Sequence, residues 1–356
     1  MTKDVLNTLN TPIPFLDRCT NLKESYSLIW PFLNVAKGSG PYELFLDNNA
    51  LTRTRWLSDL PDSVKGKVVV NPWLALMEQW VSNAEFRCDP ENRIKTFIAP
   101  FENAGIKFSS NHAANLADIL SKNTRQIHTQ WSLPFLHLAI VRKMLDRKFT
   151  LDLWAQELGK VANADIPRFS GCLILGTLVG YLANQKGLKL ASKQALWPYI
   201  DSFFAYQPSK KKEPEYVTAA YLRNRAGDLS SWYMWPMLLQ HCYKQAGEPV
   251  VVTQDKALRE VLFRLLPPCV TPSRAVAFSP SLDELTVDDK RALISLMTTI
   301  CDVPIRGAAD PSQQRERMKR LLILAKSYCT RAEEKQELDE VWDQWYLPGA
   351  GLEMHL

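Results

Sequence analysis

Val250-Val-Val-Thr253-Gln254-Asp255 is the stretch on which the fold class turns. Three valines and a threonine are strong strand formers, and a run apolar on both faces suits a strand buried inside a parallel sheet. Helical spacing resumes at Ala257–Leu265 and stops at Pro267-Pro268. Upstream, Leu229–Gln245 reads as a helix, interrupted at Pro236 and ended by Ala246-Gly-Glu-Pro249. The same grammar appears far earlier. Tyr42-Glu-Leu-Phe-Leu46 predicts a strand and is followed by Asp47-Asn-Asn. Val68-Val-Val70 predicts another, closed by Asn71-Pro72 and continued by a helix over Trp73–Val81. Strands that each run into a helix imply a parallel α/β sheet, whose sites lie beyond the carboxyl ends of the strands.

Between these two regions, helix follows helix: Leu133–Leu145, Leu151–Val161, Gly171–Asn184 and Lys193–Ala205. Leu173, Leu175, Leu178, Val179 and Leu182 are expected to form an apolar cluster there. Helices at Val287–Ile300 and Ser312–Tyr328 follow near the C-terminus, while the first 35 residues read as loop and short helix. The expected division is a discontinuous α/β domain at 1–81 plus 216–268, an all-helical insertion at 82–215, and a helical extension at 269–356.

The 356 residues are 46% apolar and 23% charged, which excludes a disordered chain. Seven cysteines, an odd number with no CxxC, argue against a disulfide scaffold or zinc ribbon and for a reducing compartment. The apolar run Gly171–Leu182 is too short to span a bilayer, so its Gly176 and Gly180 are expected to mark close helix packing. No membrane partner and no secretory leader are expected, and the expected location is cytoplasmic. A net charge of +5 permits a nucleic-acid partner without demanding one. HExxH, GxSxG, GxxxxGK[ST] and GxGxxG are all absent.

Carboxylates recur at matching points of the α/β pattern. Asp47 and Asp255 follow strands, Glu78 lies in the helix after Val68–Val70, and Asp228 heads the helix leading to the last strand, at spacings of 31, 150 and 27 residues. Two like charges 4 Å apart repel by about 4 kcal/mol at an effective dielectric of 20. A cluster of them therefore calls for protonation or for a cation, and hard oxygen ligands suit Mg²⁺ or Mn²⁺. Each residue also has a purely structural use: Asp47 and Asp255 as turn formers, Glu78 as a solvated helix residue, Asp228 as an N-cap. Asp201 is an alternative to Asp228.

In order and in its first and last spacings, the set resembles the PIN-domain nucleases. Those proteins have a strand ending in Asp, often followed at once or soon after by Asn, a Glu in the helix after the next strand, an Asp at the head of a later helix, and a last strand ending in Thr-x-Asp. Here the matching residues are Asp47-Asn48, Glu78, Asp228 and Thr253-Gln254-Asp255, over about a quarter of the chain. The 150-residue gap before Asp228 departs from compact members and requires a helical insertion. The resemblance implies a PIN-like parallel sheet flanked by helices and a divalent-metal-dependent ribonuclease. Asp47, Glu78, Asp228 and Asp255 would be both catalytic and metal-binding, with Asn48 and Thr253 in support. RNA, or DNA, would be met by Arg223, Arg225, Lys210, Lys211 and Lys212. Family members include toxins of toxin–antitoxin pairs, RNA-processing enzymes and defence proteins. The competing expectation is an inactive PIN-like assembly subunit that binds a protein partner through its inserted or C-terminal helices.

Overall fold

The computed structural model describes residues 12–206, 214–240, 243–271, 276–281, 284–301 and 310–345. The chain divides into two compact units, Thr2–Thr124 with Gly227–Asp283 and Arg125–Ala226 with Glu284–Leu356.

The first unit is built on a five-stranded sheet. Its strands are β1 (Cys19–Asn21), β2 (Ser27–Ile29), β3 (Tyr42–Leu46), β4 (Val68–Asn71) and β5 (Glu248–Thr253), in the order β1-β2-β5-β3-β4. β3 lies parallel to both β4 and β5, with Leu44 beside Val70 and Val250. Val250, Val251 and Val252 are fully buried, as are Leu44 and Leu46. β5 is the central strand, as its uninterrupted apolar run requires. β4 is an edge strand, and its Val69 is 41% exposed.

The sheet is mixed rather than wholly parallel. β2 runs antiparallel to β5, with Ser27 opposite Thr253, and β1 runs antiparallel to β2. Both come from the segment read as loop and short helix. Strands of three residues are too short to show a period of two.

The helix Trp73–Ser82 buries Leu74, Ala75, Leu76, Met77, Trp80 and Val81. The helices Ala84–Cys88, Pro90–Asn103 and His112–Lys122 belong to this same unit, so it extends to Thr124 rather than 81. Their anchor is aromatic: Phe101, on the second of them, meets Trp56 at a ring separation of 6.1 Å. Beyond β5, the helix expected at Ala257–Leu265 is a π-turn over Leu258–Leu262 followed by Phe263–Leu265. The described residues 268–271 and 276–278 are not helical. They contain β6 (Pro268–Val270) and β7 (Val276–Phe278), an antiparallel pair held to the sheet side by both amide atoms of Asn34 on Val270. The helix expected at Leu229–Gln245 is broken into Ser230–Tyr233 and Trp235–Gln240, and residues 243–247 are not helical.

The second unit is helical among its described residues, apart from a bridge between Lys189 and Ala195 that delays the expected helix at Lys193 to Trp197–Phe204. The helix Ser170–Asn184 packs against Leu151–Asn163 and Val287–Cys301. Leu173, Leu175, Leu178, Val179 and Leu182 are all buried there. Gly176 and Gly180 serve helix packing. A Cβ on Gly180 would stand 2.1 Å from Nε1 of Trp154, and that indole N–H donates to the Gly176 carbonyl at 2.9 Å. Lys143 and Glu334 form a buried ion pair that ties the C-terminal helix Ala332–Trp345 to this unit. Among the described residues, no helix is long and apolar enough to cross a membrane.

Candidate functional site

Parallel pairing sets the site. Because Leu46 lies beside Val252, the next residues of each strand, Asp47 and Thr253, emerge together at the carboxyl ends. The Asp47 N–H continues the ladder to the Val252 carbonyl at 3.1 Å. Its side chain then takes three donors. Thr253 Oγ1 donates to Oδ2 at 2.5 Å, the Gln254 N–H to the same oxygen at 3.2 Å, and the Ala50 N–H to Oδ1 at 2.6 Å. The last bond makes Asp47 the N-cap of the helix Asn48–Thr52.

The Thr253 hydroxyl also accepts the Asp255 N–H at 3.0 Å. Oδ1 of Asp255 caps the π-turn by accepting the Leu258 N–H at 2.8 Å. One hydroxyl thus joins two aspartates. Desolvation pushes the Asp47 carboxyl up to about 6, and the Asp255 charge adds to that, against the three hydrogen bonds that lower it.

Glu78 enters from the helix after β4. Asn48 Nδ2 donates to Glu78 Oε1 at 3.2 Å, and Asn48 Oδ1 accepts from Gln79 Nε2 at 2.7 Å. The residue after Asp47 therefore ties Glu78 to the end of β3. Glu78 packs against the backbone at Gly227, the residue before Asp228. A Cβ there would lie 2.7 Å from Cδ of Glu78, so any residue but glycine would push the Glu78 side chain from this position. Asp228 ends the helix Ala219–Asp228 instead of heading the next, because the break falls at Leu229. It remains half-buried.

The structure thus links Asp47, Thr253 and Asp255 directly and ties Glu78 to Asn48, the residue after Asp47, while of Asp228 only the preceding residue, Gly227, is shown against Glu78. Asp201, Arg223 and Arg225 belong to the second unit. The Arg225 guanidinium lies over the rings of Phe203 and Tyr221, at 5.1 and 5.6 Å, a packing role. Lys210, Lys211 and Lys212 lie outside the described residues. Three participants were not picked out from sequence: Gln79, Gly227 and Tyr26. Tyr26 is buried, donates to the Asn49 carbonyl at 3.2 Å and is raised by burial and then by the Asp47 charge. A polar Gln79 amid Trp-Leu-Ala-Leu-Met was the one visible signal.

All side-chain donors here are hard oxygens. Among the described residues, no group of three or more His, Cys, Asp or Glu is gathered as a metal ion would require. The chemistry that fits is a pair, Asp47 and Asp255. Mg²⁺ is commonly held by one or two carboxylates, with water and substrate oxygens completing its shell. The Asp47 carboxyl is raised chiefly by its burial, with the Asp255 charge the smallest contribution.

No family model matches the chain, and no curated protein or solved structure matches it.

Proposed function

We propose that the α/β unit is a PIN-like, divalent-metal-dependent nuclease that hydrolyses phosphodiester bonds in RNA. The observation that carries this reading is the Asp47–Thr253–Asp255 junction at the carboxyl ends of two adjacent parallel strands. Asp47 and Asp255 would hold Mg²⁺ or Mn²⁺, with Glu78 and Asp228 alongside. Such an ion supplies an activated water and stabilises charge on the phosphoryl group.

The chain's own residues perform three tasks. Thr253 and the Gln254 N–H fix the orientation of Oδ2 of Asp47, so this carboxylate is positioned before any ligand arrives. Asn48, itself held by Gln79, orients Glu78. Glu78 is half-buried and close to the Gly227 backbone, which suits a carboxylate that accepts a proton from a nearby water or positions it.

One observation favours the second reading, an inactive assembly subunit. Asp47 already accepts three hydrogen bonds that a purely structural N-cap and strand clamp would use. Cleavage of structured RNAs with Mn²⁺, with and without chelator, separates the two. The nuclease reading expects chelator-sensitive cleavage by the wild type. Absence of cleavage over a panel of RNAs and single-stranded DNA would leave the assembly reading.

A further inference from the structure

The helical unit contains a cleft of about 360 Å³ that the site above does not use. That volume lies in the range of small-ligand sites. Trp154 and Phe204 line it as buried apolar residues, and Trp197 and Phe149 line it half-buried. Lys186 Nζ sits over the Trp197 ring, 4.9 Å from its centroid. Lys148, exposed at the same cleft, has φ of +52°, an uncommon backbone state for a residue other than glycine or asparagine. Arg142 pairs with Asp146 through Nη1.

These features select a ligand. Of the two carboxylates lining the cleft, Asp146 is already paired with Arg142, which leaves Lys148 and Lys186 in excess of Asp201. An anion is favoured. A small inorganic anion would leave the two aromatic surfaces uncovered. A purely apolar ligand would leave the ammonium groups of Lys148 and Lys186 at the cleft without a counter-charge. A flat ring joined to one phosphate meets both needs. The Asp201 carboxylate disfavours a longer polyphosphate and can accept a hydrogen bond from a sugar hydroxyl or ring amine.

We propose that this cleft binds a nucleotide, its base against Trp197 and Phe149 and its phosphate at Lys148 and Lys186. The proposal is independent of the reading of the Asp47 site. Isothermal titration calorimetry on the full chain tests it with AMP, GMP, CMP, UMP, adenosine, inorganic phosphate and a six-nucleotide oligoadenylate. At least one monophosphate should bind saturably. Adenosine and phosphate should bind about tenfold or more weakly, since stacking and charge each contribute on that scale. Lys148→Asn keeps the left-handed backbone and removes the charge, and it should weaken binding about tenfold with an unchanged melting temperature. Trp197→Ala should weaken it by at least as much. Tighter binding of the oligonucleotide than of AMP identifies the ligand as a residue of a chain, and the reverse identifies a free nucleotide. No saturable binding of any nucleotide up to about 5 mM overturns the proposal. So does binding that both variants leave unchanged.

Discussion

The hydroxyl of Thr253 donates to Oδ2 of Asp47 at 2.5 Å across 206 residues of sequence. That bond joins the two ends of the discontinuous α/β unit, and the Thr253 hydroxyl oxygen in turn accepts the Asp255 N–H. Thr253→Val keeps the strand and its packing but removes both bonds. A buried carboxylate then loses one partner and a backbone N–H loses its acceptor. Chemical denaturation at pH 7 should show a loss of about 1–3 kcal/mol. A loss below a few tenths would show that the junction is not a structural clamp.

Asp47 gives stability a definite pH dependence. Its folded carboxyl is raised to about 6 from an ordinary 3.8. The group favours the native state when protonated. Its favourable contribution is fully present below about pH 4 and is lost as pH rises through 6. The change is on the order of 2–3 kcal/mol across that window. Asp47→Asn should remove this component, so the wild-type and variant stability curves should diverge between pH 4 and 7 in metal-free buffer. Parallel curves would contradict the raised carboxyl.

The two glycines of the apolar helix have a sharper test. Gly180→Ala would place a methyl 2.1–2.4 Å from three atoms of the buried Trp154 indole. That ring is locked by its bond to Gly176 and cannot swing away cheaply. A loss of roughly 3 kcal/mol or more is expected in the melting of the helical unit. Gly159→Ala, in the helix Leu151–Asn163, meets nothing within 4 Å and should stabilise by about 0.5–1 kcal/mol. Equal effects would refute the packing account of Gly180.

Gly227→Ala should act on the site more than on the fold. The added methyl would meet Cγ and Cδ of Glu78, part of a flexible side chain that can shift. Stability should change by less than about 1 kcal/mol, while the Asn48–Glu78 bond is lost. An amide NMR shift at Asn48 reports this directly, and an unperturbed Asn48 would show that Glu78 is placed elsewhere.

Much of the sheet was legible because burial on both faces leaves a continuous mark. Val250–Val252 could only be an interior strand, and the acids after β3 and β5 follow from parallel topology. The pairing of 42–46 with 248–253 across a helical unit was legible for the same reason. β1 and β2 were not, since three residues carry no period and Ser27-Leu-Ile gains its strand state from β5. The affiliation of helices 84–122 depends on the meeting of Trp56 with Phe101, a tertiary contact with no local signature. At the site, Asp47, Asn48, Thr253 and Asp255 were readable as strand-end residues. Gly227 was not, because its need for glycine arises only from the approach of Glu78.

Asp255→Asn offers the cleanest test of the nuclease account. Asparagine retains an Oδ1 to accept the Leu258 N–H, as Asp255 does at 2.8 Å, so the π-turn keeps its cap while the charge is removed. The measurement is the rate of RNA cleavage in Mn²⁺, with and without chelator, for wild type and Asp255→Asn of equal melting temperature. The account predicts chelator-sensitive cleavage by the wild type and a loss of about a hundredfold or more in the variant, as removal of a metal-holding carboxylate entails. Cleavage by Asp255→Asn at the wild-type rate would contradict it.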